Sequence, residues 1–134
     1  MATGYVNTFI TVAPDCPAAA GTVPDRATSI AGLEYALLTE NPYRLTGDDL
    51  LFAVHLRHKQ IGKDSDLEAV RAAFFSKPHP CLRASMLPKR YGWGVHYDEK
   101  GRIALYGVET ERYRHLATRE HLKIIPAMRN RKAR

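Results

Sequence analysis

One tight turn near residue 100 does most to restrict what this sequence can fold into. Glu99-Lys100-Gly101 fits a type I turn whose last residue adopts left-handed backbone angles, which glycine reaches without steric cost. The turn predicts an antiparallel hairpin with strands over 92–98 and 102–106, and it pairs Asp98 with Arg102. Because side chains alternate along a strand, this register assigns each hairpin residue to one face of a sheet.

The two faces of the predicted hairpin differ in character. One face is strongly apolar and is predicted to lie against the core: Trp93, Val95, Tyr97, Ile103 and Leu105. The other face is mixed and polar: Gly94, His96, Asp98, Arg102, Ala104 and Tyr106. A polar sheet face is typical of an antiparallel sheet with one side in water. The sequence therefore predicts an open face, and any site is expected there.

The remaining segments complete an α+β pattern. Strands are predicted over Tyr5–Val12, over Cys81–Met86 and, at an edge that tolerates Pro126, within 121–128; Leu87–Arg90 is predicted to be a connection. Helices are predicted from Thr28 or Ser29 to Asn41, from Thr46 with Asp49 at its third position, from Ser65 with Glu68, and over 109–118. We expect an α+β fold in a single domain, with a mainly antiparallel sheet of about four strands and about four helices packed mostly on one face.

Length and charge limit the class of protein. The chain has 134 residues and a net charge of +6, which suits one domain over 1–134 with a flexible basic tail from about residue 129. No apolar run approaches the roughly 20 residues that a bilayer requires, and the N-terminus lacks a secretory pattern, so a cytoplasmic location is expected. Cys16 and Cys81 are expected as free thiols, although one bridge between them remains open.

The candidate site combines the hairpin with the predicted strand that begins at Cys81. If that strand turns Leu82, Ala84 and Met86 inward, its other side chains point the same way as the polar hairpin face. Two residues are candidates for chemistry, His96 as an acid or base and Cys81 as a nucleophile. The candidate ligand-binding residues are Arg83, Ser85, Lys89, Arg90 and Tyr106. Gly94 is expected to leave an open spot for the ligand.

Other constellations are weaker. His55 and His58 stand three residues apart on a helix, and the candidates for a third ligand are Asp48 and Asp49 at the start of that helix. A half-buried structural role is favoured over metal binding. The sequence contains no glycine-rich phosphate loop, dinucleotide fingerprint, GxSxG or HExxH motif, and no cofactor is predicted.

Four segments resemble a known family of small bacterial and fungal proteins. They are YVNTFITVAPDCP, NPYRLTGDDLLFAVH, FFSKPHPCLRAS and LPKRYGWGVHYDEKGRIALYGVE. The chain is similar to this family over almost its whole length. The family is described only as a domain of unknown function, so the resemblance implies one compact domain and carries no activity or site residue.

These observations favour a protein that binds a small anionic molecule, a carboxylate or phosphate, on an open sheet face, with acid/base chemistry left open. Two alternatives remain. The basic second half could bind nucleic acid or an acidic partner, and the open face could form a homodimer. No membrane partner is expected.

Overall fold

The computed structural model describes residues 4–131. Within that range the chain forms four strands and five α-helices. The strands are β1 (Thr8–Thr11), β2 (Trp93–Tyr97), β3 (Ile103–Gly107) and β4 (Lys123–Pro126). The helices are α1 (Ile30–Glu40), α2 (Gly47–His58), α3 (Leu67–Phe75), α4 (Met86–Arg90) and α5 (Glu111–Ala117). The predicted single-domain α+β fold is confirmed.

The hairpin has the register that its turn predicts. Val95 pairs with Leu105 and His96 pairs with Ala104 across β2 and β3. Gly101 has a φ of +78°, the left-handed conformation expected of it. The Asp98 carboxylate accepts from the Arg102 backbone N–H at 2.8 Å and pairs with its guanidinium at 3.3 Å.

The sheet order is β3-β2-β1-β4, and the sheet is mixed. β1 and β3 both lie antiparallel to β2, whereas β4 runs parallel to β1 at the edge. β1 and β3 point the same way, because both are antiparallel to β2. Helix α5 connects β3 to β4 as a crossover, which joins parallel strands, so β4 also runs parallel to β1. The edge strand with Pro126 is confirmed, and the sheet is less antiparallel than the sequence predicts.

The main core lies between the sheet and a helical layer. Ile10, Val95, Tyr97 and Ile103 from the strands pack with apolar residues of this layer: Leu37, Leu38, Leu50, Val54, Leu82 and Leu87. Side chains cap the helices as predicted at Ser29, which accepts from the Gly32 N–H, and at Thr46, which forms a capping box with Asp49. The predicted Ser65 cap of α3 is wrong, because Asp66 is the N-cap residue there.

The second sheet face is not open over its whole area. Helix α5 packs Tyr113 and Leu116 against Phe9 of β1, and Leu122 completes this smaller cluster. A Cβ added to Gly94 would lie 2.5 Å from Phe9 Cζ and 2.6 Å from Tyr113 Cε2. The expectation that Gly94 leaves an open spot for a ligand is therefore wrong, since two aromatic rings occupy that space.

The segment that begins at Cys81 is helical rather than extended. Leu82–Ala84 is a 3-10 turn, and Ser85 then caps α4 by accepting from the Leu87 N–H at 3.1 Å. Pro88 stands in the first turn of α4, where a proline removes no helical hydrogen bond. Both the predicted strand over Cys81–Met86 and the predicted connection over Leu87–Arg90 are wrong.

The start of the C-terminal basic segment is attached to the body. The Asp15 carboxylate accepts from the backbone N–H groups of Asn130 and Arg131 at 3.0 Å, and these bonds lower its pKa. Asn130 Nδ2 also donates to the Lys89 carbonyl. Residues 132–134 of the predicted tail lie outside the described residues. In the part of the chain that is described, no helix is both long and apolar enough to cross a membrane.

Candidate functional site

The residues predicted to form one site lie in separate places. Cys81 lies on the helix side of the sheet, where its Sγ is 3.6 Å from the Tyr5 hydroxyl, and Tyr5 packs edge-on against Tyr97 of the core. Arg83 Nε donates to the Pro126 carbonyl at the end of β4. The structure therefore does not bring Cys81 to the sheet face that carries His96.

The other predicted ligand-binding residues of this segment are also dispersed. Ser85 Oγ donates to Glu34 Oε1 of α1 at 2.7 Å, within the helical layer. Arg90 Nε donates to Asn130 Oδ1, and the Lys89 carbonyl accepts from the same residue. Lys89 and Arg90 lie at the C-terminal end of α4, beside the segment at Asn130 that is bound to Asp15.

His96 and Tyr106 are the predicted residues that the structure does bring together. The Tyr43 hydroxyl lies 2.7 Å from His96 Nδ1 and 2.7 Å from the Tyr106 hydroxyl, so it bridges them. Tyr43 has a φ of +57°, a conformation that costs a non-glycine residue of order 1–3 kcal/mol. Burial, and then the charge of Arg112, lower the pKa of His96. The Arg112 guanidinium is 5.9 Å from the Tyr106 ring centre.

A different group of residues forms a cavity, on the helical side. The cavity has a volume of about 220 Å³ and lies between α1, α2, α3 and the loop that follows α3. Its lining is mainly apolar, with one acid and three imidazoles: Ile30, Glu34, Leu51, Val54, His55, His58, Phe74, His79 and Pro80. An apolar cavity with a few convergent polar groups is the usual form of a small-molecule site.

Glu34 is the buried acid of this cavity. Only 6% of its surface is exposed. Burial raises the pKa of its carboxyl to about 7, against a smaller opposing effect of the Ser85 hydroxyl. The carboxyl therefore changes charge near neutral pH, whereas an ordinary glutamate is ionised there. Carboxyls with such perturbed pKa values are concentrated at functional sites.

Two of the three imidazoles are held by the Phe74 side chain and backbone. The His79 ring stacks on the Phe74 ring with centres 3.8 Å apart. The centre of the His55 ring lies 4.4 Å from the centre of the same Phe74 ring. His79 Nε2 donates to the Phe74 carbonyl at 2.7 Å. Because a carbonyl only accepts, neutral His79 keeps Nδ1 as an acceptor. Burial and nearby cationic groups lower the pKa of His55.

Helix α3 forms one wall of this cavity without being buried itself. None of its nine residues is buried. Its attachment includes the contacts of Phe74 and Phe75 with Phe52 of α2. Arg71 lies over the rings of Phe52 and Phe75 at 5.2 and 4.9 Å. A wider cavity of about 440 Å³ shares His55, Phe74 and His79 with this one and is also lined by Lys77.

The described residues do not form a metal site. Across residues 4–131, no three His, Cys, Asp or Glu side chains are grouped closely enough to hold an ion. His55 and His58 instead line the cavity beside apolar residues. The polar groups of this cavity can exchange protons and form hydrogen bonds.

The sequence analysis did not identify Glu34, although a signal for it exists. Glu34 stands four residues after Ile30 and three before Leu37, within the apolar stripe of α1. An acid in such a stripe is either paired or shifted in pKa when the helix packs. Tyr43 had no such signal, because only the folded chain brings it to His96.

Comparison with known proteins gives one match. The model of a family of unknown function, DUF6157, matches residues 1–133. The chain belongs to this family. No curated protein and no solved structure matches significantly. Membership in DUF6157 confirms the resemblance drawn from the motifs, and it assigns no activity, so a function has to be argued from the geometry.

Proposed function

We propose that this DUF6157 protein binds a small, largely apolar molecule in the cavity between α1, α2 and α3. The observation that carries the proposal is the nearly buried carboxyl of Glu34 at an apolar cavity. Burying a carboxyl in such surroundings lowers the stability of the folded protein, because desolvation disfavours its charged form. A role in binding would account for its presence there. A bound molecule with a complementary polar group would satisfy it.

Glu34 also supports acid or base chemistry on that molecule. A group whose pKa is about 7 exists in both protonation states at neutral pH, which is the condition that favours general acid–base catalysis. Neutral His79 offers a second acceptor, Nδ1. The proposed activity is therefore binding, with proton exchange at Glu34 available to a reactive ligand.

Filling the cavity tests this proposal. Leu51 lines the cavity and is half-buried, so Leu51→Trp should occupy the space a ligand needs. We expect single-ring fragments from a library of neutral, acidic and basic compounds to shift the NMR methyl signals of Val54 and Leu51, and Leu51→Trp to weaken the best of them at least about tenfold.

The matched control is Arg57→Trp, at an exposed position on the same helix that lines neither cavity. It should bind the same fragments as the wild type does. Equal binding by wild type and Leu51→Trp, or no fragment that shifts the Val54 signal, would contradict a ligand site in this cavity.

A second candidate function keeps the predicted anionic ligand on the sheet face that carries His96. The supporting observation is the Tyr43 hydroxyl that joins His96 and Tyr106, next to the Arg112 guanidinium. In this version Arg112 supplies the cation, and Cys81, Arg83, Ser85, Lys89 and Arg90 take no part. Binding of nucleic acid and formation of a homodimer stay predictions, because no specific observation on the described residues favours either of them.

Phosphate titration tests the second candidate. Inorganic phosphate should shift the NMR signals of the His96 ring in the wild type, and Arg112→Ala should abolish that shift. Arg114→Ala is the control, because Arg114 is an exposed arginine of the same helix. An unchanged shift in Arg112→Ala, or none in the wild type, would rule this site out.

A further inference from the structure

We propose that the molecule bound in the cavity is a small organic amine, held as an ammonium ion by the Glu34 carboxylate, with its apolar part against Leu51, Val54 and Phe74. This inference rests on the proposed function of the same cavity. It adds the chemical class of the ligand, which the shape of the cavity alone does not specify.

The first argument is that Glu34 has no counter-ion among the residues that the structure describes. Its hydrogen-bond partner is the neutral Ser85 hydroxyl. Across residues 4–131, the ion pair formed is that of Arg102 with Asp98, at the turn between β2 and β3. Isolated buried carboxylates are strongly disfavoured, whereas paired and hydrogen-bonded ones are tolerated. The missing positive charge is therefore what a ligand could bring.

The second argument concerns the groups that face Glu34. The titratable side chains around it are three imidazoles, a phenol and a thiol: His55 and His58 from α2, His79 from the following loop, Tyr97 from β2, and Cys81 beside Tyr97. Burial and nearby cationic groups lower the pKa of His55, which favours the uncharged form of its ring. Among residues 4–131, no guanidinium or ammonium group lines this cavity, so no permanent positive charge of these residues opposes a cation there.

The third argument is the aromatic wall. Phe74 carries the rings of His55 and His79 against its own, at 4.4 and 3.8 Å. These stacked rings and the side chains of Leu51 and Val54 give the hydrocarbon part of an amine an apolar surface to pack against. The carboxylate matches the ammonium end of an apolar amine, and the aromatic and aliphatic side chains match its hydrocarbon end.

The proton balance of binding follows from the chemistry. A free amine that enters while Glu34 is protonated takes the carboxyl proton and forms the ion pair with no exchange with solvent. An ammonium ion that enters instead displaces that proton into solvent. Because aliphatic and benzylic amines are largely ammonium ions at about pH 8 and below, affinity should fall as pH drops below the pKa of Glu34.

Three probes of one shape test the inference: benzylamine, benzyl alcohol and benzoate. Binding to the whole protein is measured by calorimetry, and the Val54 and Leu51 methyl signals report whether each probe enters the cavity. We expect benzylamine to bind at least about tenfold more tightly than benzyl alcohol at pH 8. Its affinity should be about thirtyfold lower at pH 5.5 than at pH 8.

Two variants assign the effect to the carboxylate. Glu34→Gln keeps the shape of the side chain and an acceptor for Ser85, and it should cut benzylamine affinity about a hundredfold at pH 8 while changing benzyl alcohol affinity little. Glu40→Gln removes an exposed acid from the same helix and should leave both affinities unchanged.

The outcomes separate the two proposals. If benzyl alcohol or benzoate shifts the cavity methyl signals and binds as tightly as benzylamine, the amine class is wrong and the cavity stands as a ligand site. If benzylamine binds equally well to Glu34→Gln, the ion pair is wrong. If no probe shifts those signals, both the amine and the cavity proposals fail.

Discussion

Gly94→Ala is expected to lower the free energy of unfolding by roughly 3 kcal/mol, the upper end of the usual range for overpacking a core. The new methyl group would lie 2.5 Å from Phe9 Cζ and 2.6 Å from Tyr113 Cε2, far inside ordinary van der Waals contact. β2 is an inner strand that pairs on both sides, so its backbone cannot shift away without breaking the ladder. Urea unfolding followed by circular dichroism would measure the loss.

Two companions make this prediction specific. Gly62→Ala is the control, because Gly62 is exposed and its added methyl group would meet only the end of the Asp64 side chain. It should change stability by less than about 0.5 kcal/mol. Phe9→Leu shortens the ring that Gly94 faces, so Gly94→Ala should cost less in that background. A stable Gly94→Ala protein would mean that α5 does not pack on this face as described.

The stability of the protein is expected to depend on pH through Glu34, with a difference of roughly 3 kcal/mol for a pKa raised from 4.5 to about 7. The folded protein holds the Glu34 proton in a pH range where the unfolded chain has released it. The contribution of Glu34 to the free energy of unfolding is therefore largest below pH 4.5, and it decreases as pH rises to about 7. Above pH 7 no more is lost.

Other groups titrate in the same range, so the effect has to be measured as a difference. The lowered pKa values of His55 and His96 make stability rise with pH through and below the ordinary histidine range, opposite to Glu34. These contributions cancel when wild type is compared with Glu34→Gln at each pH. We expect the variant to gain roughly 3 kcal/mol on the wild type between pH 4.5 and 8.

Chemical unfolding at several pH values provides this measurement. Glu40→Gln serves as the control, because it removes an exposed carboxyl from the same helix. A flat comparison of Glu34→Gln with wild type over the same pH range would show that Glu34 has an ordinary pKa. That result would also remove the support for acid or base chemistry in the cavity.

Local signals in the sequence were sufficient for the hairpin and for most helix starts. The turn at Gly101 sets the pairing of Val95 with Leu105, because a short loop leaves the strands one register. Ser29 and Thr46 begin their helices because a hydroxyl one step before the first turn satisfies backbone N–H groups that would otherwise be unpaired. Such interactions are formed within a few residues.

Local signals failed where two structures compete over a short span. The segment from Cys81 to Met86 has no strong periodicity, and the hydroxyl of Ser85 together with Pro88 allows a helical turn as easily as a strand. The strand predicted over Tyr5–Val12 is also shorter in the structure, because Asn7 has a φ of +48° and Tyr5 before it packs on the helix side of the sheet. The predicted site depended on such local assignments. Because they are wrong, its residues lie in separate places in the structure.

The sequence by itself determined the strands of the hairpin, the faces of its side chains and the caps of α1 and α2, because those depend on near neighbours. Tertiary structure alone decided that α5 covers part of the second sheet face and that Glu34 is buried beside Ser85 at a cavity. Its pKa near 7 arises from that packing, since desolvation depends on which elements surround a carboxyl. No local pattern specifies that surrounding.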